Sequence, residues 1–80
     1  MPEEVLFKTD EQVTRTEIAE ALHDAAEQIE SGDVQLTSDT EDQAVTAPES
    51  PRLEVELERL TDSETGDQRY ELEYEIRWTK

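Results

Sequence analysis

Cysteine is absent, lysine occurs only as Lys8 and Lys80, glycine only as Gly32 and Gly66, and histidine only as His23. No apolar run approaches the ~20 residues that a membrane-spanning helix requires. Each shortage argues against a class of protein. Without cysteine or clustered histidine, a disulfide-stapled secreted scaffold and a zinc module both lack their ligands. Two isolated glycines cannot form a phosphate-cradling loop. No serine sits in a Gly-x-Ser-x-Gly setting, so a nucleophilic triad has no nucleophile. "MPEEVLFK" carries no basic segment followed by an apolar run, and we expect a soluble, cytoplasmic protein with no membrane partner.

Basic side chains are scarce overall. Seven Lys and Arg stand against 23 Asp and Glu, a formal net charge of -16 over 80 residues. Direct nucleic-acid binding would set this charge against phosphate, so it is not expected. Low hydrophobicity (32%) with high net charge is also the composition of a disordered chain. The apolar residues, however, are phased rather than scattered, and their phases predict a fold.

"EEVLFKT", residues 3 to 9, places Val5 and Phe7 on one face of a first strand. Thr14 and Glu17 make a capping box, the threonine oxygen taking one orphan N–H and the glutamate reaching back to the cap's own N–H. Val13 and Ile18 form a hydrophobic staple, and Ile18, Leu22, Ala25 and Ile29 recur at helical spacing. Gly32 stands where a left-handed C-terminal residue is wanted, which predicts a helix over roughly residues 15 to 31.

Beyond Gly32 the period becomes two. Val34 and Leu36 predict a strand, "DTED" a turn, and Ala44 to Ala47 a weaker strand. Pro48 and Pro51, which lack backbone donors, break the ladder. Residues 52 to 60 form the next strand, with Leu60 out of phase and therefore at a bulge or at the start of the turn. "TDSETGD" connects it to "RYELEYEIRW", the last strand. The expected fold is two-layer α+β, one helix packed on an antiparallel sheet in the order β-α-β-β-β-β, as a single domain over residues 1 to 80.

Pairing the last two strands leaves Glu56 opposite Glu71 or Glu73. Like charges facing each other across a pair of strands destabilise the sheet. Salt weakens the repulsion, because the Debye length falls from ~10 Å at 0.1 M to ~3 Å at 1 M. A sphere of about 15 Å radius bearing the whole charge has a self-energy of about 14 kcal/mol at 0.1 M and about 6 kcal/mol at 1 M. The unfolded chain repels itself as well, so the ~8 kcal/mol difference is an upper bound. We therefore expect a protein of a salt-saturated cytoplasm, its carboxylates bathed in monovalent cations.

"EEVLFK", "TRTEIAEALHDAAEQIESGD", "LEVELE" and "YELEYEIRW", in that order and spacing, resemble the amphi-Trp domains common among halophilic archaea. Trp78 corresponds to the terminal Trp that follows the family's alternating last strand. The resemblance implies a single compact domain from a haloarchaeal source. It lends no catalytic residue, since the family has no established activity.

Candidate sites are few. His23 with Glu27 one turn later, and Glu20 nearby, could reach one metal ion, but three or four ligands are usual and the simpler reading is a solvated helix flank. "DSETGD" has the oxygen density of a calcium loop, yet counting from Asp62 its Gly66 is fifth rather than sixth, and the flanks are strands; a hairpin turn is the simpler reading, as it is for "DTED". Tyr70, Tyr74 and Trp78 could anchor a partner, against a plainer role as the bulkiest members of a buried strand face. We expect no catalytic residue, no metal and no cofactor. The expected function is a non-enzymatic protein-interaction or self-association module, an exposed sheet edge being one route to self-pairing. Alternatives are divalent-cation or small-ligand binding by the carboxylates near residues 39 to 42 and 62 to 67, and an acidic nucleic-acid mimic that binds a basic protein. Far-UV circular dichroism against KCl checks the salt argument: ordered structure should increase from dilute buffer to molar salt, and a signal already complete in dilute buffer would refute it.

Overall fold

A computed structural model describes residues 2–80. The chain divides into two compact units, Met1–Glu49 and Ser50–Lys80. Both are built from antiparallel hairpins, and the first also carries the helix, so the protein is α+β.

In the first unit, helix α1 spans Arg15–Ser31. Thr14 is its N-cap in extended conformation, accepting the Glu17 N–H at 3.2 Å on Oγ1. The other arm of the capping box differs from expectation. The Thr14 hydroxyl donates to Glu17 Oε1 at 3.2 Å, so the carboxylate binds the cap's side chain rather than its backbone. Gly32 ends the helix at φ 91°, a left-handed conformation that costs glycine little, and its N–H donates to the carbonyls of Gln28 and Ile29.

Strands β1 (Asp33–Thr37) and β2 (Asp42–Thr46) follow as a hairpin, with Val34 opposite Val45 and Leu36 opposite Gln43 on one face. The expected "DTED" turn is formed. Ser38 Oγ accepts the N–H groups of Thr40 and Glu41, and the Ser38 N–H donates to the Glu41 carbonyl at 2.8 Å. On the hairpin's polar face Gln35 Nε2 and Thr37 Oγ1 both donate to Asp42 Oδ1. Helix α1 packs on β1. Ala25 and Ile29 are half-buried there, as is Val34. Gln28 also reaches across, its Oε1 accepting the Gln35 N–H at 2.7 Å, which occupies part of the strand edge that β2 does not cover.

The strand expected over residues 3 to 9 is not formed: residues 2 to 14 have no regular structure. A strand needs a partner ladder, and two alternating apolar residues supply none. Phe7 is half-buried, while Val5 and Leu6 are 73% and 61% exposed.

In the second unit, β3 (Arg52–Thr61) pairs with β4 (Gln68–Arg77) in an unbroken register from Arg52↔Arg77 to Thr61↔Gln68. No bulge occurs at Leu60; the ladder runs past it, and Leu60 faces Arg69. The connection closes on itself through Asp62 N–H to the Asp67 carbonyl and Gly66 N–H to the Asp62 carbonyl, with Gly66 at φ 78°. The two hairpins are separate two-stranded sheets rather than one four- or five-stranded sheet. Among the described residues none is fully buried.

Thr14→Ala removes the cap and Gly32→Ala places a Cβ at positive φ. Each should cost about 1 kcal/mol, read as a lower melting temperature in molar KCl with the helical signal weakened first.

Candidate functional site

Side chains alternate across a strand, so the β3–β4 register sorts this hairpin into two chemically opposite faces. One face carries Glu54↔Glu75, Glu56↔Glu73 and Glu58↔Glu71, three successive like-charged pairs. Of the two registers allowed by the sequence, the Glu56–Glu73 one is adopted.

Arginines attend both ends of this ladder. Arg77 reaches Glu54 Oε1 and Glu75 Oε1, each at 3.4 Å, and Arg69 reaches Glu71 Oε1 at 3.3 Å. These contacts are exposed and individually weak. The central pair has no such neighbour among the described ion pairs. The carboxyl of Glu56 is accordingly pushed above its ordinary range, first by Glu58 beside it on the strand, then by partial desolvation, Glu73, Glu54 and Glu75.

The opposite face is apolar. Leu53, Val55 and Leu57 of β3 lie against Ile76, Tyr74 and Leu72 of β4. Tyr70 lies in the same β4 row as Tyr74, and Trp78, the residue after the strand ends, continues their parity in the sequence. Tyr70 is 61% exposed and Tyr74 59%, whereas Trp78 is 36% exposed. Arg59, opposite Tyr70, is the one charged residue at these positions. Arg69 and Arg77 alternate with the aromatics on the glutamate strip, but the sequence reading gave them no ion pair and did not place Arg59 on the apolar face. Their parity along the strands was the available signal.

Other candidates are placed differently. Asp62 Oδ1 accepts the N–H groups of Glu64 and Thr65, and Thr65 Oγ1 accepts the Asp67 N–H, so these oxygens of "DSETGD" hold its turn. His23 is exposed on α1. Among the described residues no three His, Asp or Glu side chains are grouped to hold a metal ion. An open groove in the first unit, lined by Phe7, Asp10, Asp24, Leu36 and Asp39 among others, is polar and shallow. Among the described residues no helix is long and apolar enough to cross a membrane.

A short capped helix, antiparallel hairpins and a last strand that alternates apolar with acidic residues up to a tryptophan define a small acidic α+β protein with an amphipathic closing hairpin. The chain belongs to the Amphi-Trp domain family, whose model matches residues 1–80. No curated protein and no solved structure matches it.

The ladder sets a signed pH dependence. A carboxyl whose folded pKa is raised stabilises the fold most when protonated, and that contribution is lost as pH rises through the raised value. Acidification from neutrality toward the Glu56 titration range should therefore relieve the hairpin. Glu56→Gln should raise the melting temperature in dilute buffer. The gain should shrink in molar KCl and at pH below the titration range, and scanning calorimetry across both variables checks it.

Proposed function

We propose that the chain is a salt-adapted, non-enzymatic module whose work is contact with another protein, made through the apolar face of β3–β4 in a cytoplasm rich in monovalent cations. The observation that carries this reading is the concentration of Leu53, Val55, Leu57, Tyr70, Leu72, Tyr74, Ile76 and Trp78 on one hairpin face, most of them more than half exposed. Contiguous apolar surface of this kind marks interaction sites, and Tyr and Trp are favoured anchors in them. In the first unit, α1 and the β1–β2 hairpin form a two-layer stack.

The glutamate ladder favours a second reading, in which the acidic face occupies the nucleic-acid site of a basic protein. The two are separated by which face matters. Tyr74→Lys should abolish capture of the partner in molar KCl if the apolar face binds, with circular dichroism confirming that the hairpin still forms. Substituting Glu54 and Glu58 by Gln should leave capture unchanged. The reverse pattern, with a basic partner released by salt, would overturn the first reading in favour of the second.

A further inference from the structure

We infer that the occupant of the β3–β4 apolar face is a second copy of the same chain, packed hairpin on hairpin about a two-fold axis. The inference rests on the interaction reading and names its partner.

A two-stranded hairpin is marginal in water unless its apolar face is covered, and nothing within the Ser50–Lys80 unit covers it. The size of the face suits a copy of itself. Each strand is 10 residues long. The eight apolar side chains offer on the order of 100 Å² apiece, or roughly 800 Å² in all. A standard stable interface buries about 800 Å² on each partner, so two such faces match in extent with little left over.

The face is also self-complementary in chemistry. Its β3 row is aliphatic (Leu53, Val55, Leu57), and its β4 row contributes Tyr70 and Tyr74, with Trp78 just past the strand's end. A two-fold contact repeats the same patch on both sides, allowing the aliphatic row of one copy to meet aromatic residues of the other. Arg59 lies at the loop end of the face, opposite Tyr70, where a two-fold through the centre leaves it at a wet rim.

Charge sets the conditions. Sheets packed face to face lie ~10 Å apart, and in this arrangement both glutamate ladders point away from the seam. The ladders are then separated by well over 10 Å, several Debye lengths at 1 M salt, where that length is ~3 Å. In dilute buffer, with a length of ~10 Å or more, the repulsion between two chains of net charge -16 is felt across the dimer. An unrelated basic partner would find no carboxylate on the apolar face with which to pair.

Sedimentation velocity of the full chain in molar KCl tests this. A dimer should form at micromolar concentration and dissociate on transfer to dilute buffer. Leu57→Lys should weaken it by roughly a hundredfold, as truncation or charging of a central contact does. If that variant fails to fold, the native chain still decides. Isotope-filtered NMR of a mixed labelled and unlabelled dimer should show contacts between the Leu57 or Leu72 methyl groups of one copy and the Tyr74 ring of the other. A dimer with its contacts elsewhere, or a monomer at all concentrations up to about a millimolar, overturns the inference. Acrylamide quenching of Trp78 then separates the two failures. A monomer with an accessible Trp78 leaves the interaction reading standing, whereas a shielded Trp78 shows the face closed within its own chain and ends both.

Discussion

Cross-strand pairing in β3–β4 sets Glu54, Glu56 and Glu58 against Glu75, Glu73 and Glu71, and the hairpin must hold together against that repulsion. Shifting the pairing by one residue would scatter the charges, but it would also mix Leu53, Val55 and Leu57 with carboxylates on both faces. The apolar alternation thus excludes every odd shift, and each register it permits sets glutamate against glutamate. Arg77 bridging Glu54 and Glu75, and Arg69 beside Glu71, soften the two ends. Glu56, Glu58 and Glu73 have no arginine among the described ion pairs, and the Glu56 carboxyl, between Glu54 and Glu58 and opposite Glu73, is raised first by Glu58.

How much of this was legible in the sequence follows the range of the interaction involved. Helix α1 was read with its cap and its terminating glycine, because capping is settled by residues three or four apart. The β3–β4 hairpin was read because apolar and polar residues alternate over Arg52 to Arg59 and over Arg69 to Arg77, which only an even-shifted antiparallel pairing segregates into two faces. The choice between Glu71 and Glu73 as the partner of Glu56 was not legible, since a six-residue connection allows both. Its internal bonds, Asp62 to Asp67 and Gly66 to Asp62, select the one adopted. The same closure carries the ladder through Thr61, so Leu60 lies at neither of the two places expected for it, a bulge or the start of the turn.

Failures were long-range. Residues 3 to 9 alternate as a strand should, but a strand forms only where a partner offers an edge, and the Gln28 side chain already occupies part of the free edge of β1. The candidate site was legible in its residues and not in its arrangement. Tyr70, Tyr74 and Trp78 were picked out as bulky and aromatic, yet a place in a covered core needs a covering element, which no sequence period specifies. Most of the apolar face they share is half exposed or more in the hairpin's own unit.

On the proposed reading, both faces of the hairpin answer to the same variable. The acidic side can be relieved by protonation, by arginine or by ions. Protonation requires a pH well below neutrality, and arginines are present only at the ladder's ends. Concentrated monovalent ions would act on every pair at once without occupying a defined site. The same screening governs the other side, because two chains of this charge can bring their apolar faces together only when long-range repulsion is short of reach. An ordinary surface, with lysines interspersed, would decouple the two effects. On the proposed reading, the near-absence of lysine would tie the stability of the hairpin and its capacity for contact to a single solvent condition.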